Sequence, residues 1–360
     1  MEHDPDFASA PRPEHEPRAM AAEVTSNDHQ HAGTTPAPAG QHANTEPMLT
    51  GKHRGDVAAV VVTYNRCDLL LECIAHLREQ RIDAAGGHGL DILIIDNAST
   101  DGTRQALDPF IADGTVRYLN TGANLGGAGG FNRGMRAAVQ AGYTYLWVMD
   151  DDCLPQPGAL QALLDADSQL GGTYGYLSSV VRWTDGSICR MNVQRHPLTR
   201  DITDFTPELQ PCTLASFVSL FVPARRVREV GLPIAEFFIW TDDWEFTRRL
   251  SRRYPCYVAG RSVVTHASKN NGAGTIATDT PERLDRYRYI YRNDIVLYRR
   301  EGLRGAAFVL ARGLYHMAQV VSHPSGSTLK KLGIIAKGNL DGLRFHPPIE
   351  YVDASDRETN

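Results

Sequence analysis

The chain has 360 residues, of which 42% are hydrophobic, 8% aromatic and 22% charged, a globular balance that excludes a wholly disordered chain or a fibrous repeat. Its net charge of −5 leaves no basic excess for tracking nucleic acid, and no apolar run approaches the roughly 18–20 residues needed to span a bilayer. Six cysteines are scattered without a Cys-x-x-Cys pair and no signal-peptide layout opens the chain, which predicts reduced thiols in a cytoplasmic protein.

Residues 1–55 differ from the rest. They hold eight acids against four bases and almost no branched apolar residues. Such a segment cannot bury enough apolar surface to offset its ordering entropy, so it reads as a disordered tail. Six histidines lie there at irregular spacing, which favours a solvated tail over a metal site.

Order begins at Val57. Residues 57–64 form a continuous apolar run, as expected of a buried parallel strand. Residues 68–80 carry apolar side chains at helical spacing, and 91–96 is a second buried strand. A capped helix follows, then a short strand over 116–119. A glycine-rich loop over 124–130 leads into a helix ending near Ala141. Residues 145–149 form a fourth strand, and Pro157 suits the first turn of another helix. Strand and helix alternate four times, the pattern of a parallel, doubly wound α/β sheet.

The second half is less regular. Residues 174–181, 214–222 and 257–264 read as strands, 242–253 and 284–300 as helices. Residues 303–321 are amphipathic and precede Lys330, Lys331 and Lys337. They suit a helix packed on the domain or a peripheral membrane contact.

In open α/β sheets, ligands bind beyond the carboxyl ends of the strands. Three ends carry polar groups: Thr63-Tyr64-Asn65-Arg66, the stretch from Asp96 to Gly102, and Asp150-Asp151-Asp152. Three adjacent carboxylates repel each other. A hard divalent cation such as magnesium or manganese gives them a purpose, with Asp150 and Asp152 pointing the same way on extended backbone. His266, at another strand end, is a candidate third ligand. The run from Asn124 through Gly127 to Gly130 lets backbone amides approach an anion, and Arg133 adds positive charge for a phosphate. Asp242 and Asp243 open a helix between Trp240 and Trp244. They suit helix capping, or a general base beside a sugar-stacking surface.

Together and in this order, these motifs resemble the family 2 inverting glycosyltransferases with the GT-A fold. The resemblance spans about residues 57–300. The Asn124–Phe131 loop and the Asp-Asp-x-Glu segment at 242–245 look like the bacterial galactofuranosyltransferase branch, whose pattern rhamnosyltransferases share. The resemblance implies a tail over 1–55, a catalytic domain over 56–300 with a nucleotide-binding half (56–152) and an acceptor half (153–300), and a helical extension over 301–360.

It also implies roles. Thr63, Tyr64 and Arg66 line the nucleotide pocket, and Asp96 accepts a hydrogen bond from the base, uracil N3–H in a UDP-sugar. Asn124, Gly127, Arg133, Asp150 and Asp151 belong to the donor site. Asp150, Asp152 and His266 hold Mn2+ or Mg2+. Asp243 is the catalytic base with Asp242 as fallback, and Trp240, Asp242 and Trp244 border the acceptor. The expected activity is galactofuranosyl transfer from UDP-galactofuranose to a glycan or lipid-linked glycan of the bacterial cell surface, in the cytoplasm or at the inner face of the membrane. Rhamnosyl transfer from dTDP-rhamnose is the alternative. A catalytically silent nucleotide-sugar-binding protein is the reading from another class. No carbohydrate-binding domain follows the core, which favours a single-addition or short-chain enzyme over a polymerase.

Overall fold

A computed structural model describes residues 55–83, 87–272 and 274–353. The predicted tail over 1–55, with its histidines, lies outside the described residues except for Gly55.

The first half alternates as predicted: β1 (Val57–Thr63), α1 (Cys67–Arg78), β2 (Leu90–Asp96), α2 (Thr103–Ala112), β3 (Val116–Asn120), α3 (Gly126–Gln140) and β4 (Tyr145–Asp150). The second half adds β5 (Cys153–Pro155), α4 (Ala159–Leu170), β6 (Leu177–Trp183), β7 (Leu209–Pro211), β8 (Leu220–Pro223), α5 (Ala224–Val230), α6 (Asp242–Ser251) and β9 (Tyr257–His266). Three helices follow: α7 (Tyr287–Arg299), α8 (Gly302–Ser322) and α9 (Thr328–Arg344).

All strands among the described residues join one sheet of order β3-β2-β1-β4-β8-β6-β9-β5, with β7 paired to β9. The first four strands are parallel, and β8 runs antiparallel to both β4 and β6. The sheet is therefore mixed, and the wholly parallel pattern holds only for its first half. Residues 153–266 extend the same sheet.

Strand β1 shows how the layers form. Ala58, Val60 and Val62 face a core shared with Phe131 and Met135 of α3 and Phe246 of α6. Val57, Ala59 and Val61 face the opposite core, with Leu70 of α1, Leu107 of α2 and Leu160 of α4. A strand buried on both faces reads as a continuous apolar run because alternate residues serve different cores. The parallel register sets Thr63 opposite Asp96 and Val62 opposite Asp150. Strand order reverses between β1 and β4, the switch point where such sheets open a crevice.

Three sequence expectations need correction. The strand expected over 214–222 shrinks to β8, because Ser219 adopts φ 63° and its hydroxyl joins Trp147 Nε1 and Ser179 Oγ in a buried network. Pro157 lies in a turn, and α4 starts only at Ala159. The glycine-rich run does not form a loop: α3 begins at Gly126.

The helical end of the chain is partly tied to the main domain. Helices α8 and α9 pack on α7, but residues beyond α9 return to the sheet's helical layer. Arg136 donates to the Tyr351 carbonyl at 2.9 Å, Leu232 N donates to the Glu350 carbonyl at 2.7 Å, and Val352 is buried in the main core. No described helix is long and apolar enough to cross a membrane.

Candidate active site

The carboxyl ends of β1 and β4 are stitched together by Asp151. Its Oδ2 accepts from the Thr63 hydroxyl at 2.7 Å, and its Oδ1 accepts from Arg66 Nη1 at 2.8 Å. The same Nη1 reaches Asp152 Oδ2 at 2.8 Å. The carboxylates raise the Arg66 guanidinium against the opposing effect of burial. Asp152 Oδ1 lies 3.1 Å from His266 Nε2, because β5 pairs with β9 so that Cys153 stands opposite His266. Thr63, Arg66, Asp150, Asp151, Asp152 and His266 therefore converge, although up to 203 positions separate them in sequence.

Their charges are unequal. Burial, then Asp152, pushes Asp150 up to about 7. Burial also works against ionised Asp152, but His266 and Arg66 hold it down at about 2. Burial opposes protonation of His266, yet Asp152 and Cys189 raise it to about 10. Asp152 and His266 thus form an ion pair, while the half-buried Asp150 carboxylate makes no hydrogen bond among the described residues.

Among the described residues, no group of three His, Cys, Asp or Glu side chains stands arranged to hold a metal ion. Asp152 and His266 are bonded to each other, and Arg66 takes the second oxygen of Asp152. The donor chemistry nevertheless suits a hard divalent cation: two carboxylates, one without a partner, and an imidazole whose proton a metal can replace.

Asp96 is fully buried, and its two oxygens accept from Ser99 N at 2.8 Å and the Tyr118 hydroxyl at 2.7 Å. Burial and Asp96 push Tyr118 up to about 12. The carboxylate that the resemblance assigns to a nucleobase is engaged with the protein's own groups. The neighbouring turns are locked as well: Asn65 Oδ1 accepts from Thr100 N at 2.7 Å, and Ser99 Oγ accepts from Asn65 N at 2.9 Å. Asn65 and Ala98 hold φ of 52° and 62° there. Such left-handed non-glycine residues persist where surrounding bonds over-determine them. Tyr64 is half-buried beside this turn.

The glycines of α3 serve packing. A Cβ at Gly130 would lie 2.6 Å from Val62, and one at Gly134 would lie 2.6 Å from Val60. Gly126, at φ 71°, has the Phe238 carbonyl where a Cβ would go. Asn124 Oδ1 accepts from Gly126 N at 2.9 Å and so starts the helix. Only Gly127, among the first glycines of α3, meets nothing nearer than Phe131 at 4.0 Å. Arg133 is exposed, and no bond joins it to the strand-end acids among the described residues.

Across the crevice, Phe238, Trp240 and Thr241 hold φ of 64°, 67° and 69°. The buried Asn293 of α7 pins this turn by donating to the carbonyls of Phe237, Ile239 and Trp240 at 3.1, 3.1 and 2.9 Å. Thr241 Oγ1 donates to Asp294 Oδ1 at 2.9 Å, and Arg312 of α8 pairs with the other Asp294 oxygen. The turn delivers Asp242 and Asp243 to the start of α6. Burial pushes Asp243 up to about 7, although the Trp244 amide donates to it. Burial, Asp243 and Asp150 push Asp242 well above the carboxylate range. Trp240 packs against Tyr287 with ring centroids 5.3 Å apart, and Arg195 lies 4.2 Å over Trp244.

Asn293, Asp294, Arg312 and Arg195 were missed from the sequence. One signal was present: Tyr287, Tyr291, Asp294 and Tyr298 share one helical face, so an acid interrupts an aromatic stripe.

The mixed sheet with its covering helices has the GT-A fold. Residues 58–198 match the family described as Glycosyl transferase family 2. Galactofuranosyltransferase GlfT1 of Mycolicibacterium smegmatis is 27% identical over 266 residues, covering 70% of this chain and 86% of that protein. N-acetylglucosaminyl-diphospho-decaprenol L-rhamnosyltransferase of Mycobacterium tuberculosis is 29% identical over 248 residues, covering 60% and 78%. Among solved structures, the mannosyltransferase PcManGT of Pyrobaculum calidifontis, in complex with GDP-Man and Mn2+, superposes with a TM-score of 0.52 at 17% identity, covering 83% of this chain and 90% of that one.

Proposed function

We propose that this glycosyltransferase moves galactofuranose from UDP-galactofuranose to a lipid-linked glycan acceptor in bacterial cell-surface polysaccharide synthesis, with inversion at the anomeric carbon, working in the cytoplasm at the membrane surface. The likeness to GlfT1 over 70% of this chain and 86% of that protein carries the choice of sugar. The rhamnosyltransferase relative, aligned over 60% of this chain, supports dTDP-rhamnose as the second donor. Residues 56–152 take the donor nucleotide, residues 153–300 face the acceptor, and the helices beyond 301 form an extension.

In this reading Thr63, Tyr64 and Arg66 border the nucleotide. Both ion pairs of Arg66 use Nη1, which leaves Nε and Nη2 to meet a diphosphate. Asp96 acts from below by holding Tyr118 and the Ser99 turn. Asp150, Asp152 and His266 would hold Mn2+ or Mg2+. When bound, such a cation neutralises charge on the departing diphosphate.

Asp242 and Asp243 are adjacent and buried, so they do not both ionise readily; one proton shared across the pair leaves one carboxylate as base. Asp243, the less buried member, takes the proton of the acceptor hydroxyl. The acceptor oxygen bonds to the anomeric carbon as the opposite bond to the diphosphate oxygen breaks, and that bond's electrons leave with the diphosphate. The transition state is oxocarbenium-like, and one displacement inverts the centre. Trp240 and Trp244 offer aromatic faces to the acceptor sugar. Incubation with manganese, a soluble acceptor analogue and a panel of nucleotide sugars tests the reading. Diphosphate release with UDP-galactofuranose is expected; release with dTDP-rhamnose alone transfers the assignment to the second donor.

A further inference from the structure

Every large hydrophobic side chain that is exposed among the described residues lies between Leu303 and Leu343. Five of them, Leu303, Leu310, Leu314, Tyr315 and Val321, stand on α8, with exposures of 58–89%. Leu329, 85% exposed, continues them at the start of α9. Alanines at 306, 307, 311 and 318 fill the outer face between them. Of the exposed α8 residues, only Arg304, the Tyr315 hydroxyl and Ser322 are polar. The helix has 21 residues, so this apolar face is about 31 Å long. Its inner face is committed: Gly305, Val309, Gly313 and Val320 are buried, and Arg312 pairs with Asp294.

The charge around this face is one-sided. Residues 302–344 expose four basic side chains, Arg304, Lys330, Lys337 and Arg344, and hold one acid, Asp341, in a chain whose net charge is −5. Arg304 and Arg344 are exposed. Lys330 and Lys337 are exposed too, paired with Asp285 at 3.0 Å and Asp341 at 2.6 Å. Exposed pairs of this kind are worth little and yield readily to a stronger anionic partner.

We infer that the outer face of α8, with Leu329 and the basic rim of α9, docks on an anionic phospholipid surface as an interfacial helix. An apolar face beside clustered Lys and Arg is what such a surface binds: leucines enter the headgroup boundary and cations meet the phosphates. A second copy of the chain fits less well, because a two-fold contact through this face would set the same basic rims against each other. The inference rests on the lipid-linked acceptor proposed above. An acceptor anchored in the bilayer requires the enzyme to come to the interface, and no helix among the described residues crosses the membrane to hold it there. Docking there presents the opposite side of α8, where Arg312 leads through Asp294 and Thr241 to the acid pair.

The full chain is sedimented with vesicles of phosphatidylcholine alone, and with vesicles that also contain phosphatidylglycerol. Binding to the anionic vesicles is expected, with loss as salt rises. Leu310→Asp and Leu314→Asp should each weaken it about tenfold or more, since each sets a charge where a leucine would enter the headgroup boundary. Arg304→Glu with Lys337→Glu should weaken it without touching the apolar face. All are exposed positions, so melting temperature and turnover on a soluble acceptor analogue should stay unchanged. Absence of binding to anionic vesicles overturns the inference, as does binding indifferent to these substitutions. A wild-type dimer in light scattering that Leu310→Asp converts to a monomer also overturns it and assigns the face to a second copy. Vesicle binding with no sugar transfer from any donor would sink the transferase reading and leave the docking face standing.

Discussion

The Thr241 hydroxyl donates to Asp294 Oδ1 at 2.9 Å, and this bond fastens the first turn of α6, where the two candidate bases stand, to the middle of α7. Arg312 closes the other side of Asp294, so three helices meet on one buried carboxylate. Asp294→Ala leaves Arg312 buried without its partner and should cost about 3–5 kcal/mol of stability. Asp294→Asn retains an acceptor for Thr241 and should cost less. In both variants kcat should fall while donor affinity holds, because the strand-end site is untouched. Denaturant unfolding and steady-state kinetics check this; normal kcat in folded Asp294→Ala would limit the bridge to stability.

Gly130→Ala and Gly134→Ala should each destabilise the protein by roughly 1–3 kcal/mol, the usual range for overpacking. Each new methyl would fall 2.6 Å from a valine of β1. Gly127→Ala has room and should be neutral in thermal melts. A rise in donor KM for Gly127→Ala, without a stability loss, would restore the phosphate-cradle reading of this segment.

The glycines show where sequence reasoning stopped. Strands β1 to β4 were legible because a strand buried on both faces leaves an uninterrupted apolar run. Asp150-Asp151-Asp152 and Asp242-Asp243 were legible because their chemistry lies in adjacent residues. A glycine, by contrast, has the same appearance in a loop, an anion nest or a helix pressed on a sheet. Only the distance from Gly130 to Val62 decides among them. Asn293 and Asp294 were hidden for a related reason: they bond to carbonyls and a hydroxyl more than 50 positions away, and the arginine paired with Asp294 lies on another helix. Asp96 was found, but its partners Tyr118 and Ser99 were not. Helix α9 was legible only within the helical extension over 301–360 and not as an element of its own, because its Gly333, Gly338 and Gly342 weaken helical propensity, while close packing on α7 requires two of them: a Cβ at Gly338 would lie 2.8 Å from Tyr291, and one at Gly342 would lie 2.7 Å from the Arg292 carbonyl.

Chelation with EDTA should stop transfer, and manganese or magnesium should restore it. Metal affinity should rise with pH, because His266, held protonated up to about 10 by Asp152 and Cys189 against burial, must lose its proton to ligate. His266→Ala should weaken metal binding in a calorimetric titration. It should also remove a pairing whose stabilisation is full below the ordinary histidine value and fades as pH rises through about 10. Full activity in EDTA would remove the metal from the mechanism.

Activity and stability should move in opposite directions with pH. Burial pushes Asp243 up to about 7, above the ordinary carboxylate value of about 3.9. A base must be ionised, so kcat/KM should rise as pH passes through about 7. The folded state binds the extra proton between those two values, so stability should fall as pH rises through the same window. Rate profiles and thermal melts across pH check both. A kcat/KM that falls as pH rises through about 7 would mean that the essential group works protonated.

Asp243→Asn and Asp242→Asn separate the base from its neighbour. An amide of the same shape cannot take the acceptor's proton, so Asp243→Asn should cut turnover by roughly two orders of magnitude or more. Donor and metal binding should hold, since Thr63, Arg66 and Asp150 to Asp152 are unchanged. The variant should also melt higher above neutral pH, because an ionised carboxylate no longer has to be buried. Asp242→Asn should cost less turnover, since Asp242 is the more deeply buried member and carries the pair's proton. Simple helix capping gives the reverse pattern, a loss of stability with turnover intact. Turnover lost only in Asp242→Asn would make Asp242 the base. Turnover kept in both would remove this segment from proton transfer. Glu245 could not then replace it: Glu245 is 1% exposed and held by Arg249 at 3.0 Å and by Arg300, so its carboxylate is closed to an acceptor hydroxyl.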